Sequence, residues 1–242
     1  MTIQSNAIQT ANASTEESSW TSLYKIGGIA ALVIVGIVFF QAPIFIFYPQ
    51  PTTVIGHIQQ FQQSKLLGLV DLDLILLIAE ILFIPVVLAL YGALKRYNPA
   101  WMSVALMSAL GGLGLFFACN PTLSFIFLTD QYTAATTEAQ KTAILAAGEA
   151  LIANYNGTAF GLFFILYGIA YIVMAMVMLK SGVFNKATAI LGIAIGAMML
   201  IPPLPFLGMF PLVLSYIVIL PSLAWNVLVG IRLLQLGRSN AK

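Results

Sequence analysis

Long apolar runs recur along this chain, separated by short polar or charged connections. Six of them, at about residues 26–47, 69–94, 101–128, 158–179, 187–201 and 211–231, approach or exceed the ~20 apolar residues that a helix needs to cross a bilayer. Backbone N–H and C=O groups find no partners in hydrocarbon, so such runs must fold as helices that close their own hydrogen bonds. The composition agrees: of 242 residues 60% are hydrophobic and 7% charged, against roughly 25% charged in an ordinary soluble domain. A soluble fold of this length could not cover so much apolar surface. The expected fold is all-α, a single polytopic membrane domain of six transmembrane helices over residues 20–238. The polar stretch 1–19 is expected to be an unstructured tail, and 239–242 a short one.

Cation placement orients the expected bundle. With six crossings, one side holds Lys25, Lys95, Arg96, Lys180, Lys186, Arg232, Arg238 and Lys242, and the other only Lys65 and Lys141. Cations gather on the cytoplasmic side, so both termini are expected there. The fifth run is short, and the sequence PPLPFLGMFP at 202–211 cannot stay helical; a tight turn or re-entrant element is expected. On the outer side, residues 48–65 carry the one histidine, His57, which reads as an exposed surface residue. In the second outer connection Thr137 precedes Gln140 at capping-box spacing. Ile144, Leu145, Leu151 and Ile152 recur there at helical intervals, so an amphipathic outer helix is expected over about 137–153.

Small residues mark where helices can approach closely in lipid. Gly192 and Gly196 form a GxxxG pair, and Gly161 and Gly168 lie seven apart on the fourth run. Cys119, the only cysteine, permits no intrachain disulfide and reads as a packing residue.

Chemistry inside the membrane has one place to begin. The stretch from Leu66 to Arg96 carries Asp71, Asp73 and Glu80 within an apolar run. Glu80 lies about 22 Å from Lys95 at ~1.5 Å per helical residue, near the middle of a ~30 Å hydrocarbon layer. Asp73 falls two turns earlier on the same expected face, and Asp71 reads as an ordinary headgroup-level acid. A carboxylate at such depth costs a few kcal/mol unless paired, hydrated or protonated, and no expected span contains Lys, Arg or His. Pro85 leaves the carbonyl of Ile81 without a donor, and Pro85 and Pro221 are the expected helix kinks. Gln41, Asn120, Ser124, Ser215 and Asn226 are the candidate polar neighbours, with Asn120 and Asn226 joining Glu80 and Asp73 in the candidate site. Three roles stay open for Glu80: glue between helices, a proton, cation or polar-ligand site, or contact with another subunit that brings the missing cation.

Enzyme templates are lacking: no HExxH, GxSxG, Walker loop, CxxC or histidine cluster occurs. No metal, cofactor or nucleic-acid partner is expected. The bilayer is the expected partner, with either a homo-oligomer or a larger membrane complex beyond it.

The stretch LVDLDLILLIAEILFIPVVLALYGALKR, followed later by GTAFGLFFILYGIAYIVMAMVMLKSGVFNKATAILGIAIGAMML, resembles a family of uncharacterised bacterial six-helix membrane proteins, a domain-of-unknown-function family. The features carrying the likeness are Asp73, Glu80, Leu90-Tyr91 and Lys95-Arg96, then Lys180-Ser181-Gly182, Asn185, Gly192 and Gly196; Asn185 stands where proline is commoner in that pattern. The likeness covers about residues 26–236. It implies a six-helix fold in a bacterial plasma membrane and no established activity. The expected function is therefore that of a non-enzymatic membrane protein, transporter-like or binding a small polar or lipid ligand through Glu80. The alternatives are an accessory subunit of a membrane complex and, third, a membrane-embedded enzyme.

Overall fold

Helix breakers and caps divide the chain more finely than its hydropathy does. The computed structural model describes residues 2–48, 50–201 and 217–239. The expected turn at 202–211, Ser215, the start of the sixth run at 211–216 and the tail at 240–242 lie outside the described residues. Helix α1 runs Thr2–Phe47. The stretch read as an unstructured tail is thus helical from Thr2, consistent with the lack of any glycine or proline between there and Lys25.

The second apolar run is not one helix. Thr53 caps α2 (Val54–Gln63), its hydroxyl accepting from the Gly56 amide at 3.2 Å. Ser64 caps α3 (Lys65–Asp71) in the same way through Leu67. The chain then breaks at Leu72 and Asp73 before α4 (Leu74–Leu94). Asp73 has φ 69°, a left-handed conformation that aspartate tolerates better than most residues. Asp73 therefore sits at the N-cap of α4, and the shared helical face expected for Asp73 and Glu80 does not exist.

The third run is also divided, into α5 (Pro99–Cys119) and α6 (Thr122–Ala134). Proline disfavours helical geometry in the residue before it, and Asn120 is extended at ψ 120°. In α7 (Glu138–Tyr155) the capping box forms, Thr137 and Gln140 exchanging side-chain and backbone bonds at 3.2 Å. Then come α8 (Thr158–Ser181), which ends on Gly182 at φ 65°, α9 (Lys186–Met199) and α10 (Ile219–Ser239). No strand occurs among the described residues.

Among the described residues, five helical stretches are long and apolar enough to cross a membrane: 20–41 of α1, α4, α5 with α6, α7 with α8, and 219–238 of α10. Helix α9 is apolar but shorter. These helices indicate membrane insertion.

The long helices sort into two groups of three. Helix α1 packs most extensively on α4 and α10, while α8 packs on α5 and α9. Glycines permit both sets of close approaches, as expected where no hydrophobic force drives helices together. A Cβ on Gly27 would lie 2.8 Å from the Pro85 carbonyl oxygen of α4. One on Gly28 would lie 2.9 Å from the Gly230 oxygen of α10. In the other group, Gly168 of α8 and Gly196 of α9 face each other's carbonyls at 2.8 and 2.7 Å. The groups meet along α4 with α5 and α8, and along α9 with α10. Helices α2, α3, α6 and α7 form a cap with its own small core around Ile58, Phe61, Leu72 and Phe125.

Candidate functional site

Glu80 lies on α4, on the seam between the two helix groups. Tyr167 of α8, in the opposite group and 2% exposed, donates its hydroxyl to the Glu80 carboxylate. The bond ties the groups together at one point and supplies the protein donor that an acid in this position requires.

Beside this bond the seam holds a cavity of about 250 Å³. Each helix contributes one stripe at helical spacing: Leu76, Ala79, Glu80 and Phe83 from α4, Ile34, Val38 and Gln41 from α1, and Phe163, Tyr167 and Tyr171 from α8. Ser222 and Asn226 of α10 complete the polar side. The wall is aromatic. Phe83 stacks on Tyr171 at 5.9 Å and lies 5.6 Å from Tyr167, and Trp225 backs Tyr171 at 4.8 Å. Among the described lining residues Glu80 is the only acid, and none is Lys, Arg or His. Two buried polar atoms at the cavity lack hydrogen-bond partners, Gln41 Nε2 and Asn226 Oδ1, although Asn226 Nδ2 donates to the Ser222 carbonyl at 2.9 Å.

Of the residues singled out in the sequence, the structure brings together Glu80, Asn226 and Gln41. It does not bring Asp73 or Asn120 to them. Asp73 accepts from the Tyr155 hydroxyl in the cap, and Asn120 Oδ1 accepts from the Thr122 amide at 3.0 Å, starting α6. Ser124 lies on α6, away from the cavity lining. Pro85 sits inside α4 with its carbonyl against Gly27. Pro221 falls in the first turn of α10, where its missing N–H breaks no bond within that helix. Gly192 lies against Ala175 and the Trp225 indole, and Gly161 in the first turn of α8. Sequence reasoning missed Tyr167, Tyr171 and Ser222. The spacing of 163, 167 and 171 was a usable signal, since it places three rings on one face of α8.

Residues 26–237 match a family described as a domain of unknown function, DUF4386. The chain belongs to the DUF4386 family. Neither the curated proteins nor the solved structures contain a match.

The DUF4386 chain has a second group of ionisable side chains, in the cap before the span that starts at Leu74. His57, expected to be exposed, is 6% exposed, and Asp71, expected at headgroup level, is 2% exposed. The reason is that Val54, His57, Ile58 and Phe61 form one face of α2 that packs on Phe125. His57 Nδ1 and Asp71 Oδ2 are 3.7 Å apart, and neither has a hydrogen-bond partner. Burial lowers the His57 pKa, so the ring is neutral at pH 7 and the contact is no ion pair. Burial and then the charge of Asp73 push Asp71 up to about 6. Asp73 is also pushed up to about 6, by burial that outweighs the Tyr155 bond. Next to this cluster a cavity of about 610 Å³ lies between α2 and α7, lined by His57, Glu149, Tyr155 and Asn156 together with Val54, Leu72 and Ile152. No cluster of metal-ligating side chains occurs among the described residues.

Proposed function

We propose that this protein is a non-enzymatic, transporter-like membrane bundle that takes a small, mainly apolar molecule with one polar group into the seam cavity beside Glu80. In this reading α9 is the sixth crossing, the membrane is a bacterial plasma membrane, and both termini are cytoplasmic, as the distribution of lysine and arginine supports.

The observation that carries the reading is the Glu80–Tyr167 bond placed beside open volume on the seam. Glue between helices needs only the bond. It does not account for the cavity, nor for Gln41 Nε2 and Asn226 Oδ1 left without partners at its wall. Buried polar atoms cost about 1–3 kcal/mol each when unpaired, and a molecule in the cavity that pairs with either of them removes that part of the cost. Apolar cavities of about 150 Å³ already bind benzene, so a ring-sized group fits.

Toluene tests occupancy. A ligand that binds only the folded state raises stability by mass action, about 2.7 kcal/mol at a hundred times its dissociation constant. Toluene is expected to raise the melting temperature of the detergent-purified protein, and Ala79→Leu, which fills the cavity from α4, is expected to abolish the increase. Equal shifts in both proteins, or none in the wild type, overturn the reading. Single cysteines placed at Lys65 and Lys180 in a Cys119→Ala background, labelled in intact cells, test the sidedness; labelling of Lys180→Cys from outside contradicts it.

A further inference from the structure

We infer that the seam cavity is selective for a protonated lipophilic amine. This rests on the reading of the cavity as a ligand site and adds the chemical class that the site recognises.

The lining has an uneven polar inventory. Its one carboxyl group is Glu80, and no cation stands among the described lining residues to balance it when ionised. Its unpaired acceptor is Asn226 Oδ1 on α10, and its unpaired donor is Gln41 Nε2 on α1. Acceptors therefore come from α4 and α10, and Tyr167 supplies a single donor to the carboxylate. A primary ammonium group matches the carboxylate and the acceptor because it carries positive charge and three N–H donors on one atom; it has no acceptor to offer, so Gln41 Nε2 stays unpaired beside it. Charge-assisted bonds of this kind are about twice as strong as neutral ones.

The rest of the wall fits the rest of such a molecule. Phe83, Tyr167 and Tyr171 lie with centroids 5.6 to 6.3 Å apart around the carboxylate's cavity. An ammonium over ring faces gains up to ~2 kcal/mol once desolvated, and the hydrocarbon body meets Ile34, Val38 and Leu76. A carboxylate or phosphate ligand would meet like charge at Glu80 with no compensating cation. A neutral alcohol would satisfy fewer acceptors and leave the carboxylate's charge uncompensated. A quaternary cation would keep the charge but leave Asn226 Oδ1 unpaired.

Benzylamine, benzyl alcohol and benzoate differ in charge and little in shape. Titrated calorimetrically into the full-length protein in nanodiscs, with empty nanodiscs subtracting partition into lipid, benzylamine is expected to bind at least roughly tenfold more tightly than the alcohol. Benzoate is expected not to bind. Glu80→Gln, which keeps the shape and a hydrogen-bond acceptor for Tyr167, is expected to erase the preference for the amine while retaining the alcohol. Equal or tighter binding of the alcohol or benzoate, lost in Ala79→Leu, overturns the amine assignment and leaves the cavity as a ligand site. Binding of none of the three, or binding that Ala79→Leu does not change, overturns both.

Discussion

Tyr167→Phe isolates the seam bond. The substitution deletes the hydroxyl that Glu80 accepts and keeps the ring, with its contacts to Phe163 at 4.6 Å and Phe83 at 5.6 Å. Two magnitudes compete. An acceptor left unsatisfied in an apolar interior costs about 1–3 kcal/mol, more when it is charged, whereas hydrogen bonds between membrane helices average only ~0.6 kcal/mol with a maximum near 1.7. Glu80 is half-buried and borders the cavity, so its carboxyl is not sealed on all sides by protein. The expected loss is therefore near the upper membrane value, about 1.5 kcal/mol. Adding Glu80→Leu removes the stranded acid, because replacing both partners by apolar groups is close to neutral. The double variant is expected within ~0.5 kcal/mol of wild type, giving a coupling energy above ~1 kcal/mol. Reversible unfolding in mixed detergent micelles, followed by circular dichroism, measures all three proteins. A double variant less stable than Tyr167→Phe, or a single loss below ~0.5 kcal/mol, refutes the dependence of Glu80 on this tyrosine.

Gly196→Ala is expected to lower the melting temperature, because its Cβ would stand 2.7 Å from the Gly168 carbonyl oxygen and from Ile172 Cγ1. Overpacking of about 1–3 kcal/mol outweighs the ~1 kcal/mol helix-propensity gain from glycine to alanine. Gly114→Ala is the control, since nothing lies within 4 Å of its Cβ position; equal effects of the two substitutions would sink the argument. The cap has a pH signature. Asp71 and Asp73 have folded pKa values of about 6, above the ordinary 3.8, so between those values the folded state binds protons that the unfolded chain has released. Their contribution to stability is full below the unfolded value and lost as pH rises through about 6. The depressed His57 acts oppositely, but it is one group against two. Melting temperature is expected to fall between about pH 4 and 6, and Asp71→Asn with Asp73→Asn to flatten the fall; an unchanged slope in that variant counts against the buried cap acids.

Glu80 was legible because it is the one charge deep in an apolar run, and depth follows from counting residues to Lys95. Its partner was not. A tyrosine at 167 is one of several aromatic residues on α8, and only the packing of α8 against α4 shows that its hydroxyl meets the acid. The division of the third run at Asn120-Pro121 was written in the sequence as the conformational restriction that proline places on its neighbour, and hydropathy alone read across it. Asp73 is different: nothing local requires a left-handed residue there, and the turn exists because α3 must pack in the cap while α4 descends beside α1. His57 sits at a helical interval with Val54, Ile58 and Phe61, so its burial could have been read once α2 was recognised as a helix. Gly192 and Gly196 were visible as a motif, while the adjacent pair Gly27-Gly28 was not. Its two glycines serve different neighbours, α4 and α10, and so form no spaced repeat.

The grouping of the long helices bears on how the chain is made. Among the long helices α5, α8 and α9 follow one another in the chain, so that group has all its members once α9 has been made. Helices α1 and α4 emerge first, yet the third member of their group, α10, is the last helix described. Until it arrives, Gly28 has no Gly230 to pack against, and Asn226 and Ser222 are missing from the cavity wall. The earliest-made half of the protein is thus the last to be completed, and a chain released before α10 would carry a finished three-helix group beside an open one.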